Sequence, residues 1–211
     1  MKILITVMSC HKNWNLWSEI KENVKKDLII FSYSPKNENW YDEKERVLYL
    51  NCRDTYECLP EKVICMIDQV LNIPQFKDIT HILKIDDYEA VNLTEEKIQN
   101  LYSYKIISKY HYVGQELLQE AGTDARKYHY GKVTPGSEWD EALYRGIYVP
   151  WMNGGKSYIL SRAAMVLINH EYNSSNLDIL YKKEIYEDLM IAKCLFKHGV
   201  VPKEINYQIT K

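Results

Sequence analysis

A run of β-branched and apolar residues, Thr80-His81-Ile82-Leu83, leads into Lys84-Ile85-Asp86-Asp87 and then turns through Tyr88-Glu89-Ala90. The run has the length and character of a buried strand. Two adjacent carboxylates therefore stand at a strand exit, the edge of an open α/β sheet where ligands bind. Neighbouring acids repel unless a cation, a hydrogen-bond donor or a hydroxyl lies between them. The pair fits a nucleotide, metal or sugar site; taken alone it fits a solvated acidic turn better, and segments elsewhere in the chain reverse that order.

The surrounding pattern predicts an α/β sheet. Residues 3–7 read as a first buried strand ending at Ser9-Cys10-His11, and a helix from about Leu16 to Lys26 carries Trp17, Ile20 and Val24 on one stripe. Leu28-Ile29-Ile30-Phe31 and Val47-Leu48-Tyr49-Leu50 read as further strands, separated by the breaker Ser34-Pro35-Lys36-Asn37. After Pro60, Val63, Met66, Ile67 and Val70 recur at helical spacing until Asn72 and Pro74. Thr94 followed by Glu95 and Glu96 predicts a capped helix start. Tyr104 to Val113 is aromatic and β-branched, which predicts one or two strands. Gly114 to Arg145 lacks a period and reads as a functional loop or lid. Order resumes at Ile147-Tyr148-Val149-Pro150 and Ser157-Tyr158-Ile159-Leu160, then a helix capped by Ser161. A last helix runs from about Tyr186 to His198, with Leu189, Ala192, Leu195 and Phe196 on its apolar side and Gly199 as its stop. No repeat or linker calls for a second domain.

Bulk properties narrow the partners. A net charge of −2 over 211 residues offers no lure for nucleic acid or an anionic membrane. Five cysteines (Cys10, Cys52, Cys58, Cys65, Cys194) without a C-x-x-C pair argue against a disulfide framework or a zinc site and for a reducing compartment. No signal peptide and no membrane-spanning stretch is visible. The expectation is a cytoplasmic protein.

Four segments, in order, resemble the β-1,3-glycosyltransferase family of galactosyltransferase, N-acetylglucosaminyltransferase and Fringe type. Asp54-Thr55-Tyr56-Glu57-Cys58-Leu59-Pro60-Glu61-Lys62 is similar to D-x-Y-x-N-L-x-x-K, and Lys84-Ile85-Asp86-Asp87-Tyr88 with Val91-Asn92 is similar to K-x-D-D-D-x-x-V-N. Asn153-Gly154-Gly155-Lys156-Ser157-Tyr158-Ile159-Leu160-Ser161 is similar to S-G-G-A-G-Y-V-L-S. Glu187-Asp188-Leu189 through Cys194-Leu195 to Gly199-Val200 is similar to E-D-V-x-x-G-x-C-L-x-x-L-G. Before about residue 45 only the element order is similar; the family's early Arg-Trp motif has no good copy, Trp14 and Trp17 being loose candidates.

The resemblance implies a GT-A fold in one domain, with residues 1–113 as the nucleotide-sugar half and 114–211, including the loop 114–145, as the acceptor half. It implies an inverting hexosyltransferase moving a sugar from a UDP-sugar donor to a hydroxyl, with a β-1,3-type linkage on a glycan or glycoprotein. A chain without the anchor and stem of animal relatives further implies a viral or microbial source. Asp188 becomes the base, held ionised in the first turn of a helix; the plainer reading is that Glu187 and Asp188 only complement the helix dipole. Ser9, Cys10, Asp54, Tyr56, Lys84, Asp86 and Asp87 become donor-binding residues, with the nucleotide base on Tyr56. His11 is either beside them or a polar loop residue, and Lys62 either meets the diphosphate or is solvated. Trp151, Gly154, Gly155 and Glu187 become acceptor-binding, although core burial suits Trp151 equally and an ordinary turn needs the same glycines, and Tyr128, Tyr130, Trp139 and Tyr144 either shape the acceptor site or hold the loop down.

The departure from the family is Tyr88, which stands where the third Asp would hold a cation. A phenol is a poor ligand for Mg²⁺ or Mn²⁺. Either Asp87 or Asp86 holds the metal, or the diphosphate does, or basic groups replace it; retention through Asp87 is the expectation. Two other readings stand beside the enzyme. One is a non-catalytic nucleotide-sugar- or carbohydrate-binding protein on the same fold. The other is a nucleotidyltransferase-like enzyme, which needs an early Gly-rich loop that Ser9-Cys10-His11-Lys12 does not supply.

Overall fold

The computed structural model describes residues 1–119 and 124–209, so the part of the loop at 120–123 lies outside it. The first half holds β1 (Ile3–Met8), α1 (Trp17–Asn23), β2 (Leu28–Tyr33), β3 (Trp40–Asp42), β4 (Val47–Leu50), α2 (Leu59–Asn72), β5 (His81–Asp86), α3 (Asp87–Ala90), α4 (Glu95–Ser103) and β6 (Tyr112–Gly114). There follow β7 (Leu117–Leu118), β8 (Trp151–Met152), β9 (Tyr158–Ser161), α5 (Arg162–Glu171), α6 (Leu177–Lys183), α7 (Glu187–Phe196) and β10 (Lys203–Glu204). Eight strands form one mixed sheet in the order β10-β6-β9-β5-β1-β2-β4-β3, and β7 pairs with β8 apart from it. β1, β2, β4 and β5 run parallel, whereas β9 is antiparallel to both β5 and β6, and β3 is antiparallel to β4.

Side-chain alternation along the strands divides the core into two layers. Leu4, Ile82 and Leu160 face α2, α5 and α7, while Ile5, Leu83, Ile85 and Ile159 face α1 and α4. This alternation decides where the strand-exit groups go. Lys84 and Asp86 share the α7 side with Tyr158, and Asp87, one residue on, turns to the α1 side.

The chain enters the sheet centrally. β1 sends its successor β2 to one side and receives β5 on the other. The crevice outside the carboxyl ends of β1 and β5 is therefore a topological switch point, the position at which open α/β sheets bind ligands.

Several sequence expectations change in detail. α1 stops at Asn23, and Arg46 donates to the carbonyls of Lys21 and Val24 at its end. Residues Lys105–Lys109 form a 3-10 turn rather than a strand, leaving only Tyr112–Gly114 extended. Ile147 to Pro150 is not a strand; the pairing begins at Trp151. Phe196 is exposed, not part of the apolar side of α7. Thr94 and Ser161 do cap α4 and α5, accepting from the Lys97 and Ala164 amides, and Gly199 takes the left-handed conformation (φ +73°) after α7. The five cysteines are unpaired. Among the described residues no helix is long and apolar enough to cross a membrane.

Candidate functional site

A cleft of about 440 Å³ opens at the carboxyl edge of the sheet, between the end of β5, the start of α7 and the connection from β8 to β9. Asp86, Glu187 and Asp188 bring three carboxylates to it, and Lys84 and Lys132 bring two cations. Tyr56, Tyr128, Tyr148, Trp151 and Tyr186 give it aromatic walls. Acids for hydroxyl groups and rings for apolar C–H faces suit a polyhydroxylated ligand.

Lys84 organises the acidic end. Its side chain is fully buried, and its ammonium donates to Asp86 Oδ1 (2.7 Å), the Gly154 carbonyl (3.2 Å) and Glu187 Oε2 (3.3 Å). Burial works against that charge, but Asp86 and Glu187 outweigh it and hold the ammonium above its ordinary pKa. Glu187 also accepts a short hydrogen bond from Tyr158. Burial pushes the Glu187 carboxyl up to about 7, against the pull of Lys84 and with Asp188 adding to the rise. Tyr158 is raised in turn, first by burial and then by Glu187.

Asp188 is partly accessible at the cleft wall, where Oδ2 accepts from the Gly154 amide (2.9 Å) and Oδ1 from the Leu189 amide (2.8 Å). The helix start was expected to hold it ionised. Both amides and Lys84 do pull the carboxyl down, and burial outweighs them, so that it lies above its ordinary value. Gly154 is required by this contact, since a Cβ there would stand 2.9 Å from Glu187 Oε2 and 3.0 Å from Asp188 Cβ. Its closeness serves the protein's own acids. Gly155 lies on the rim, its amide bonded to the Asn153 side chain.

A second polar group lies at the mouth of β1. Asp87 is buried and accepts from Ser9 Oγ (2.7 Å) and Asn13 Nδ2 (3.0 Å), with Trp17 Nε1 donating to Ser9 (2.8 Å). Lys62, expected to be solvated or near phosphate, is buried and paired with Asp54, and it donates to the Ser9 carbonyl. Asp54 also accepts from the His11 amide (2.9 Å), and the His11 ring meets Tyr33 edge-on. Cys10 sits among these groups, its thiol pushed up by burial and then by Asp54 and Asp87.

The structure thus gathers Asp86, Lys84, Tyr56, Trp151, Gly154, Gly155, Glu187 and Asp188 around one cleft. Ser9, Cys10, Asp54 and Asp87 form the neighbouring group, and Asp87 does not line the cleft. Of the loop aromatics only Tyr128 reaches it. Trp139 and Tyr144 are buried, bonded to the Tyr181 carbonyl and Glu184, so these two hold the loop down, whereas Tyr130 is exposed and donates to the Glu141 carbonyl within the loop itself. Lys132, Tyr148 and Tyr186 were missed because they lie in or beside aperiodic sequence.

The metal expectation does not fit. Among the described residues no group of three His, Cys, Asp or Glu side chains is arranged to hold an ion. Asp86 is engaged by Lys84 and Asp87 by Ser9 and Asn13. Tyr88 is exposed, its hydroxyl directed to Asn13 at 3.4 Å, and adds no ligand.

No protein-family model matches the chain, and no curated protein matches it. Among solved structures it is similar to a cytidylyltransferase from Leptospira borgpetersenii serovar Hardjo-bovis (6% identity, 97% of this chain and 76% of that one, TM-score 0.46). It is also similar to a CMP:2-keto-3-deoxy-manno-octonic acid synthetase complexed with CTP (8% identity, 97% and 90%, TM-score 0.47). TM-scores below 0.5 carry neither a family nor an activity to this chain. Neither is named as a hexosyltransferase, and the ligand named for one of them is CTP. The expectation of an inverting UDP-sugar hexosyltransferase with Mn²⁺ or Mg²⁺ and a glycan or glycoprotein acceptor is corrected: no family model supports the motif resemblance, and Asp86 and Asp87 are engaged by protein donors rather than arranged around a cation.

Proposed function

We propose that the chain is a nucleotide-sugar-related protein that holds a nucleoside phosphate and a hydroxyl-rich group side by side at the carboxyl edge of its sheet. The observation that carries this reading is the convergence of Asp86, Glu187 and Asp188 with Tyr56 and Trp151 on one cleft beside the β1–β5 crevice. In this reading Ser9, Cys10, Asp54 and Tyr56 serve the nucleoside, Asp87 braces Ser9, and Lys84 sets the charge of the acidic end. Trp151, Gly154, Gly155 and Glu187 shape the seat of the hydroxyl-rich group, and Asp188 accepts the proton of one of its hydroxyls. Residues 1–113 would supply the nucleotide half and 114–211 the other half of a GT-A type of fold.

A second reading, binding without turnover, is favoured by one observation. Each acid of the cleft already has a protein donor: Lys84 for Asp86 and Glu187, and the Gly154 and Leu189 amides for Asp188. Release of pyrophosphate or nucleotide on mixing nucleotides with sugars separates the two.

Thermal unfolding in the presence of CTP, CMP, UTP, ATP and free monosaccharides tests the shared premise. At about 100 times Kd a ligand adds roughly 2.7 kcal/mol, which at this length raises Tm by about 5–10 °C. At least one nucleotide is expected to do so, and Trp151→Ala to reduce the shift. No shift with any nucleotide or sugar would remove the proposal.

A further inference from the structure

The two cations of the cleft are in opposite situations. Lys84 is spent on Asp86 and Glu187. Lys132 meets no carboxylate among the described residues; its ammonium lies 3.1 Å from the centre of the Tyr128 ring and 5.6 Å from that of Tyr56. Both rings line the same cleft, and Tyr128 is 64% exposed although it is a large aromatic.

The position of Lys132 is fixed by its neighbours. Gly131 turns the chain through positive φ (+72°), and the Lys132 amide donates to the His129 carbonyl at 3.0 Å. His129 is fully buried, one ring nitrogen paired with the Tyr186 hydroxyl (2.8 Å) and the other with the Ala142 carbonyl (2.9 Å). On the far side Val133 is buried and the Thr134 amide donates to Glu57 at 3.2 Å. An otherwise mobile surface lysine is thereby presented over the cleft mouth. Ring faces hold an exposed ammonium only weakly, so an anion displaces them at small cost and gains a charge-assisted hydrogen bond.

We propose that the ligand of this cleft carries an anionic group, a phosphate or a carboxylate, which Lys132 receives between Tyr56 and Tyr128. The inference rests on the reading of the cleft as a nucleotide and sugar site, and it adds a polarity. The ligand lies with its hydroxyls toward Asp86 and Asp188 and its negative charge toward the 128–132 turn. The reverse orientation would set that charge against three carboxylates.

Titration at low ionic strength with glucose, glucuronate and glucose 1-phosphate, and with cytidine against CMP, tests this. At least one anionic member is expected to bind about tenfold tighter than its neutral counterpart, the low end for a hydrogen bond to a charged group. Lys132→Gln should abolish that preference, Lys132→Arg should keep it, and the glucuronate and glucose 1-phosphate arms tell a carboxylate from a phosphate. Because Lys132 is exposed, the Lys132→Gln protein should unfold at the same temperature as the parent without ligand. A preference that survives Lys132→Gln would overturn this inference and leave the parent reading standing; neutral members binding as well as anionic ones would overturn it together with the phosphate in that reading, leaving a nucleoside and sugar site. Absence of binding by every member, charged and neutral, would sink both.

Discussion

Replacing Lys84 with Met is expected to destabilise the fold by about 3–5 kcal/mol, the usual cost of stripping a buried ion pair of one partner. At this chain length that lowers Tm by about 6–20 °C. The reason is specific: Lys84 neutralises Asp86 and Glu187 at once, and Glu187 is 7% exposed. The effect has a pH signature. Glu187 titrates near 7 in the fold, against 4.5 for the ordinary group. Between those values the folded state binds more protons than the unfolded chain, so the contribution of Glu187 to stability falls as pH rises through this window and is flat above it. For the variant, whose two acids have lost their cation, the deficit should be largest at alkaline pH and shrink as Glu187 takes up its proton. Melting curves of both proteins from pH 4 to 9 measure this; equal Tm values at pH 8–9 would show that Lys84 does not balance the cleft.

Asp188→Asn carries the largest expected effect on chemistry. If Asp188 takes a hydroxyl proton, its loss should slow turnover by about 10²–10⁴-fold, with binding retained. An amide keeps the size of the side chain, but it can offer an oxygen to only one of the Gly154 and Leu189 amides that now bond the carboxylate. A modest loss of stability should therefore accompany the loss of rate. Since burial raises the Asp188 carboxyl above its ordinary value, the rate should climb with pH as that group ionises. Product formation, measured with whichever nucleotide and sugar stabilise the protein, is the readout. Turnover within tenfold of the parent would remove Asp188 from this role.

Much of this arrangement was legible in the chain because it follows from periodicity. The stripe of Val63, Met66, Ile67 and Val70 fixed α2, and the cap residues Thr94 and Ser161 fixed the starts of α4 and α5. The alternation of a strand would also have separated Asp86 from Asp87 and joined Lys84 to Asp86, two residues apart on one face. Treating Asp86 and Asp87 as a pair overlooked that signal. The antiparallel course of β9 was not legible. Tyr158-Ile159-Leu160 is as apolar as a parallel strand, and only its insertion between β5 and β6 sets its direction. Trp40-Tyr41-Asp42 was too short to stand out, although Trp40 stacks on Tyr49 with ring centres 4.3 Å apart. Lys132 gave no signal at all, because its place depends on His129 reaching Tyr186 across 57 residues.

The motif resemblance located Asp86, Glu187 and Asp188, which converge on one cleft, but the metal it implied does not fit. The place of the family's third Asp is held by Tyr88, which is 67% exposed with its hydroxyl directed to Asn13, and the expected compensation through Asp87 does not form. Without that ligand Asp86 and Asp87 are satisfied by Lys84 and by Ser9 with Asn13, and their proximity in sequence has no metal to explain it.

The most direct test is diffraction from crystals soaked with the nucleotide that gives the largest thermal shift. The expected density lies in the β1–β5 crevice, against Tyr56 and Trp151, with a ligand hydroxyl within hydrogen-bond reach of Asp86 or Asp188. A nucleotide seated elsewhere, for instance in the surface cavity between Arg145 and Lys182, with the cleft of Asp86 and Asp188 empty, would contradict it.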